Sequence, residues 1–169
     1  MGLGQARIRR ARRGDADRIA LLTGQLGYPT SPKAMRKRLE RVLASNAGAC
    51  FVAETGQQGV IGWIHVSVTP LLETERCAEV NGLVVDEHAR SAGTGRLLLD
   101  AAERWAKKMR CAGISVRCNV LRERAHGFYL RHGYQHFKTQ KAFRKALSQP
   151  LGIASFGPFS RKIYRSTIE

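Results

Sequence analysis

Acidic residues are scarce in this chain: 13 Asp and Glu stand against 29 Lys and Arg, a formal net charge of +16 over 169 residues. The shortage is uneven. Residues 1–41 hold 11 Lys and Arg against 3 Asp and Glu, residues 42–137 hold 11 against 9, and residues 138–169 hold 7 against 1. The excess therefore lies in the flanks. Clustered basic side chains suit the neutralisation of phosphates, so this distribution fits a nucleic-acid binder and equally a basic protein that handles an anionic cofactor.

Cysteine is sparse too. Cys50, Cys77, Cys111 and Cys118 form no CxxC pair, and three of them fall in or beside apolar strand-like runs, where a free thiol behaves as a small hydrophobe. Reduced core thiols are expected, not disulfides or a metal site. The histidines offer no ligand set either. His126 and His132 are six apart, on different faces of a helix, and His136 lies beyond the glycine that should end it. No apolar stretch of signal-peptide length opens the chain, and its Met-Gly start carries Ala6 where a myristoylation signal requires Ser or Thr. A cytoplasmic protein with no membrane partner is expected. Hydrophobic residues at 43% and charged residues at 25% exclude global disorder, and the length suits one domain with a real core.

The pattern along the chain alternates helix and strand. Ala6 to Ala11 predicts a short edge strand, and Ile19, Leu22 and Leu26 recur at helical spacing until Gly27. Ser31-Pro32 is an N-cap followed by proline at the first helical position, and Met35, Leu39, Val42 and Leu43 give the second helix its buried stripe. The other face of that helix is basic, with Lys33, Arg36, Lys37, Arg38 and Arg41. Strands are predicted over 50–54, 60–69 and 77–85, the first two as a hairpin around Gly56 to Gly59. Leu98, Ala101, Ala102, Trp105 and Met109 make a clean amphipathic helix over 93–109. A strand over 114–118, a short helix with Ala125, Phe128 and Tyr129 on one face, and a hairpin over 134–146 complete the pattern. The fold class is α/β (α+β) with a central mixed sheet. Residues 148–169 change composition and read as a loosely ordered extension or an added edge.

The informative segment is Glu79 to Leu99, a strand leading through a glycine-bearing loop into the amphipathic helix. A helix N-terminus exposes unpaired N–H groups and the positive end of the dipole, and so favours an anion. The dinucleotide pattern GxGxxG fails at Leu98, and no GxxxxGK[ST] loop exists. What stands there is Arg90-x-x-Gly93-x-Gly95. Taken alone, this spacing also fits a helix start that merely contains two glycines.

The pattern resembles the coenzyme A pyrophosphate signature of the GNAT superfamily of N-acetyltransferases. The order of the remaining motifs agrees: Asn119 after the next strand, Phe128-Tyr129 on a short helix, Gly133-Tyr134 behind it, and Gln25 to Pro29 as an early helix-to-helix turn. The resemblance spans roughly residues 6–147, which sets the expected domain at 1–147 and leaves 148–169 as an extension. It implies a mostly antiparallel sheet of about six or seven strands flanked by about four helices. It also implies acetyl-coenzyme A as co-substrate and an acetyltransferase acting on a primary amine of a small molecule or peptide, with the oligomeric state open to a homodimer. A nucleic-acid- or ribosome-associated protein on the same scaffold is the alternative.

Carried over, the resemblance implies that Leu83, Val84 and Val85 hold the acetyl and pantetheine portion, chiefly through backbone groups of Leu83 and Val85. Arg90, Ser91, Ala92, Gly93, Thr94, Gly95 and Arg96 would wrap the pyrophosphate, with Ser91 departing from a common glycine. Asn119 would contact the pantetheine arm and Tyr129 would stand by the sulfur. An ammonium must lose a proton before attack, and the departing thiolate must gain one. Glu79 is the candidate base, since strict strand alternation puts it on the face of Leu83 and Val85; it reads equally as a solvated residue or an ion-pair partner. Tyr129 is the candidate acid, against a core aromatic paired with Phe128.

Overall fold

The computed structural model describes residues 6–56, 58–143 and 145. Two compact units divide the chain between Gln135 and His136, and every element below lies in the first. The strands are β1 (Arg7–Arg10), β2 (Gly48–Thr55), β3 (Gly59–Val68), β4 (Cys77–Val85) and β5 (Gly113–Val116), and the helices are α1 (Ala16–Gln25), α2 (Pro32–Ala44), α3 (Thr94–Lys108) and α4 (Glu123–Arg131). The strands form one sheet in the order β1-β2-β3-β4-β5. All pairings are antiparallel except β4 with β5, which is parallel.

Each face of the sheet has its own apolar layer. On one, Leu98, Leu99, Ala102, Trp105 and Ala106 of α3 pack on Ile61, Ile64, Val66, Ala78 and Val80. On the other, Ile19 and Leu22 of α1 with Met35 and Leu39 of α2 pack on Val52, Val60, Trp63 and Val84. Full burial of a side chain such as Leu98 or Leu22 contributes roughly 2 kcal/mol. The helix signals act as expected: Ser31 Oγ accepts from Ala34 N at 3.2 Å at the start of α2. All four cysteines are free thiols, and burial, with Asp15 adding to it, pushes that of Cys50 up to about 12.

Two expectations need correction. Among the described residues the sheet has five strands, not six or seven, and no strand occurs over 134–143 or at 145. The apolar residues that suggest a hairpin there, Phe137 and Phe143, are 72% and 91% exposed and bury too little to hold one. Arg144 and residues 146–169 lie outside the described residues, as does the expected boundary near 147.

The second correction concerns β4, which does not alternate strictly. His65 pairs with Gly82 and Val66 with Val80, so Asn81 is an extra residue opposite the β3 ladder. Asn81 Nδ2 secures this bulge by donating to Ser67 Oγ at 2.8 Å and to the Glu79 carbonyl at 3.3 Å. A one-residue insertion exchanges the faces beyond it. Ala78 and Val80 face α3 before the bulge, Leu83 and Val85 face it afterwards, and Glu79 faces the α1/α2 side with Ser67.

Candidate active site

The candidate site lies where β4 parts from β5. The β4–β5 ladder stops at the Val80–Val116 pair, while β4 runs on to Val85 paired to β3 alone. Beyond that pair the two parallel strands part, leaving the β5 side of residues 81–85 without a ladder partner. The end of β4 is anchored firmly. Asp86 N donates to the Ile61 carbonyl at 2.8 Å, and the Asp86 carboxylate accepts from Arg18 Nη2 at 2.5 Å and from His88 N at 3.1 Å. Burial pushes the Asp86 carboxyl up, but the His88 N–H and the Arg18 guanidinium outweigh it and hold the group below the usual carboxylate range.

The loop then reaches α3 through two left-handed residues, Ser91 at φ 68° and Gly93 at φ 77°. Gly93 is the N-cap, it carries no side-chain cap, and no acid stands in the first turn of α3. The first N–H groups of α3 therefore have no internal partner and concentrate positive potential at the loop. Gly95 marks a close approach: a Cβ there would lie 3.3 Å from the Phe128 ring and 3.9 Å from Val85 Cγ2. The strand end, the helix start and α4 thus converge on one point.

The serine at position 91 has a measurable consequence. An L-residue in the left-handed region costs about 1–2 kcal/mol, and glycine returns about 0.4–1 kcal/mol of that as unfolded-chain entropy. Ser91→Gly should stabilise the fold by about 0.5–1 kcal/mol, a rise in Tm of about 1–3 °C. A fall in Tm would show that the serine side chain supports the loop.

Tyr129 stands on α4, edge-on to Phe128 with ring centroids 5.2 Å apart and tilted against Tyr134 at 5.5 Å. Burial, with the neighbouring Cys118 adding to it and Arg122 opposing, pushes its hydroxyl up to about 12. The hydroxyl makes no hydrogen bond among the described residues. Asn119 shapes its own loop: its Oδ1 accepts from Leu121 N at 3.0 Å and its carbonyl accepts from Arg122 N at 3.0 Å. Arg90 Nε donates to the Val85 carbonyl at 3.2 Å, and Arg96 pairs with Asp100 at 2.8 Å.

Glu79 is separated from Leu83 and Val85 by the face exchange at the bulge, and Arg117 Nε donates to its Oε1 at 2.5 Å. On its face lie two residues that no sequence pattern singles out, His65 and Ser67. Burial holds the His65 imidazole below its ordinary range. Arg122 is a third such residue. Its Nη2 donates to the Leu26 carbonyl at 2.6 Å, tying the α1–α2 turn to the start of α4, while Gln25 Oε1 accepts from Glu87 N at 3.1 Å on the loop after β4. The Gln25 to Pro29 turn thus touches both sides of the parted strands. The one available signal is Asn81-Gly82 inside a strand, a dipeptide that marks bulges. Among the described residues, no group of three or more His, Cys, Asp or Glu is placed to hold a metal, and no helix is long and apolar enough to cross a membrane.

Solved structures with this architecture are numerous. Aminoglycoside N-acetyltransferase AAC(6')-Iy in complex with CoA is 19% identical with a TM-score of 0.74, covering 83% of this chain and 95% of its own. Aminoglycoside 6'-N-acetyltransferase AAC(6')-Ih from Acinetobacter baumannii is 16% identical with a TM-score of 0.74, covering 85% and 100%. A transcriptional regulator from Bacillus halodurans C-125 is 22% identical with a TM-score of 0.72, covering 82% and 100%. At these identities the likeness is one of fold. Comparison with curated protein sequences gives no match. The sequence model of the acetyltransferase (GNAT) family, however, matches residues 16–134, from the first residue of α1 to the tyrosine behind α4. The chain belongs to the GNAT family of acetyltransferases.

Proposed function

We propose that the chain is an acetyl-coenzyme A-dependent N-acetyltransferase, transferring the acetyl group to a primary amine of a neutral or acidic small molecule or peptide by direct attack in a ternary complex. One observation carries the reading: in a chain of this family, the uncapped start of α3 opens beside a strand whose β5-side ladder has ended. First-turn N–H groups, with Arg90 and Arg96 close in sequence, suit a diphosphate. The edge of Leu83, Val84 and Val85, which among the described residues has no ladder partner on the β5 side and meets there only Arg90 Nε at the Val85 carbonyl, suits an amide-bearing arm that pairs as an added strand would, with Asn119 opposite. Bound there, the coenzyme supplies an activated acetyl thioester.

The remaining steps fall to the chain. Glu79 takes a proton from the acceptor ammonium and frees its lone pair. As the N–C bond forms and the C–S bond breaks, Tyr129 passes its hydroxyl proton to the departing sulfur, and its phenolate takes back the second proton that the nitrogen sheds on becoming an amide. Arg122 at the turn, which has no carboxylate partner among the described residues, disfavours polycationic acceptors through like-charge repulsion.

Acetyl-coenzyme A at about 100 times its Kd should stabilise the fold by about 2.7 kcal/mol, read as a rise in Tm. Ala92→Glu places a carboxylate on an exposed loop position beside the helix start. It should fold normally and lose the rise. Release of coenzyme A should be faster with a neutral or acidic amine than with an aminoglycoside. No Tm rise with the coenzyme, or preference for the polycation, would refute the reading.

A further inference from the structure

The basic face of α2 is a surface separate from the parted strands. It borders an open groove lined by Arg13, Lys37, Arg38 and Arg41, with Ala34 and Ala44 as its small side chains and Glu40 as its single acid. The cations are largely uncommitted. Arg13 reaches Glu40 only at 3.9 Å with its side chain 80% exposed, Arg38 donates to Thr30 Oγ1 at 3.2 Å, and Lys37 and Arg41 make no ion pair among the described residues. Arg36, by contrast, is neutralised by Asp17 at 2.9 Å and lies outside the groove.

We propose that this groove is a sequence-independent binding surface for a nucleic-acid phosphate backbone. The occupant follows from what the groove has and lacks. Arginine forks and a lysine match phosphate oxygens. A protein partner needs an apolar core to its interface, and two alanines supply none, whereas nucleic acid is held mostly through its backbone and needs no such core. Insertion into a membrane needs a free apolar helix face, but Met35 and Leu39 of α2 are already buried against the sheet. The groove carries no aromatic on which a base would stack, so binding rests on charge and tolerates any sequence. Lys37 and Arg41 are one helical turn apart, about 6 Å along the axis, and present a row of charge to an extended polyanion.

The test is fluorescence anisotropy of the full chain with a labelled single-stranded RNA oligonucleotide across a salt series. Binding should weaken steeply with salt. In Lys37→Glu/Arg41→Glu, the slope of log K against log salt should fall in magnitude by about 0.7 for each phosphate that is no longer neutralised. The Tm rise with acetyl-coenzyme A should survive in that variant, separating the groove from the coenzyme site. Lys108→Glu, a charge reversal at the end of α3, should leave RNA binding unchanged. Absence of salt-dependent binding, an undiminished slope in the double variant, or an equal loss in Lys108→Glu would overturn the proposal. So would binding to anionic vesicles or an acidic peptide but not to RNA.

Discussion

Replacing Tyr129 with Phe is expected to lower turnover about 10²- to 10⁴-fold, the usual loss on removing a general acid, while leaving stability and coenzyme affinity intact. The substitution deletes one oxygen and keeps the ring, so the packing against Phe128 and Tyr134 survives. A structural tyrosine would behave oppositely. Loss of a buried hydrogen-bonded hydroxyl costs on the order of 1 kcal/mol of stability and leaves the folded enzyme's rate alone. Among the described residues the Tyr129 hydroxyl makes no such bond. With its pKa pushed up to about 12, chiefly by burial, the group remains protonated throughout the neutral range and always has a proton to give. Melting temperature, coenzyme affinity and single-turnover rate should be measured on one preparation. A wild-type rate of the chemical step in Tyr129→Phe would exclude the residue as the acid.

The elements that position this loop are legible in the sequence because their signals are local. The apolar spacing of α3, the Ser31-Pro32 start of α2 and the glycines at 93 and 95 each act within a few residues of themselves. The orientation of Glu79 is not legible, because it depends on a register shift held by an Asn81–Ser67 hydrogen bond across two strands. Strict alternation gives the wrong face, and the error arises from applying a two-residue period through an Asn-Gly pair that breaks it. Arg122 escapes notice for a related reason. Its partner is the Leu26 carbonyl, 96 residues away, and no periodicity announces a side chain that crosses to another element's backbone. The strand count falls short because Phe137 and Phe143 mimic a strand pattern without anything described to bury them.

Glu79→Gln is expected to lower the rate of acetyl transfer about 10²- to 10⁴-fold with little change in stability. The bulge turns Glu79 toward the α1/α2 side, away from the face of Leu83 and Val85. Its ion pair with Arg117 offers a purely structural explanation, and that explanation is testable because the pair has two ends. The Arg117 side chain is 79% exposed and that of Glu79 30%, so water screens their attraction and breaking it should cost about 0–1 kcal/mol. Arg117→Gln breaks the same pair and keeps the carboxylate. If Glu79 exists only to hold Arg117, the two variants should behave alike in stability and rate. If it takes the proton, only Glu79→Gln should be slow. Its deficit should then shrink as pH rises, because more of the acceptor arrives already deprotonated and the missing base matters less. A deficit shared by both variants, or one that stays constant with pH, would remove Glu79 from the chemistry.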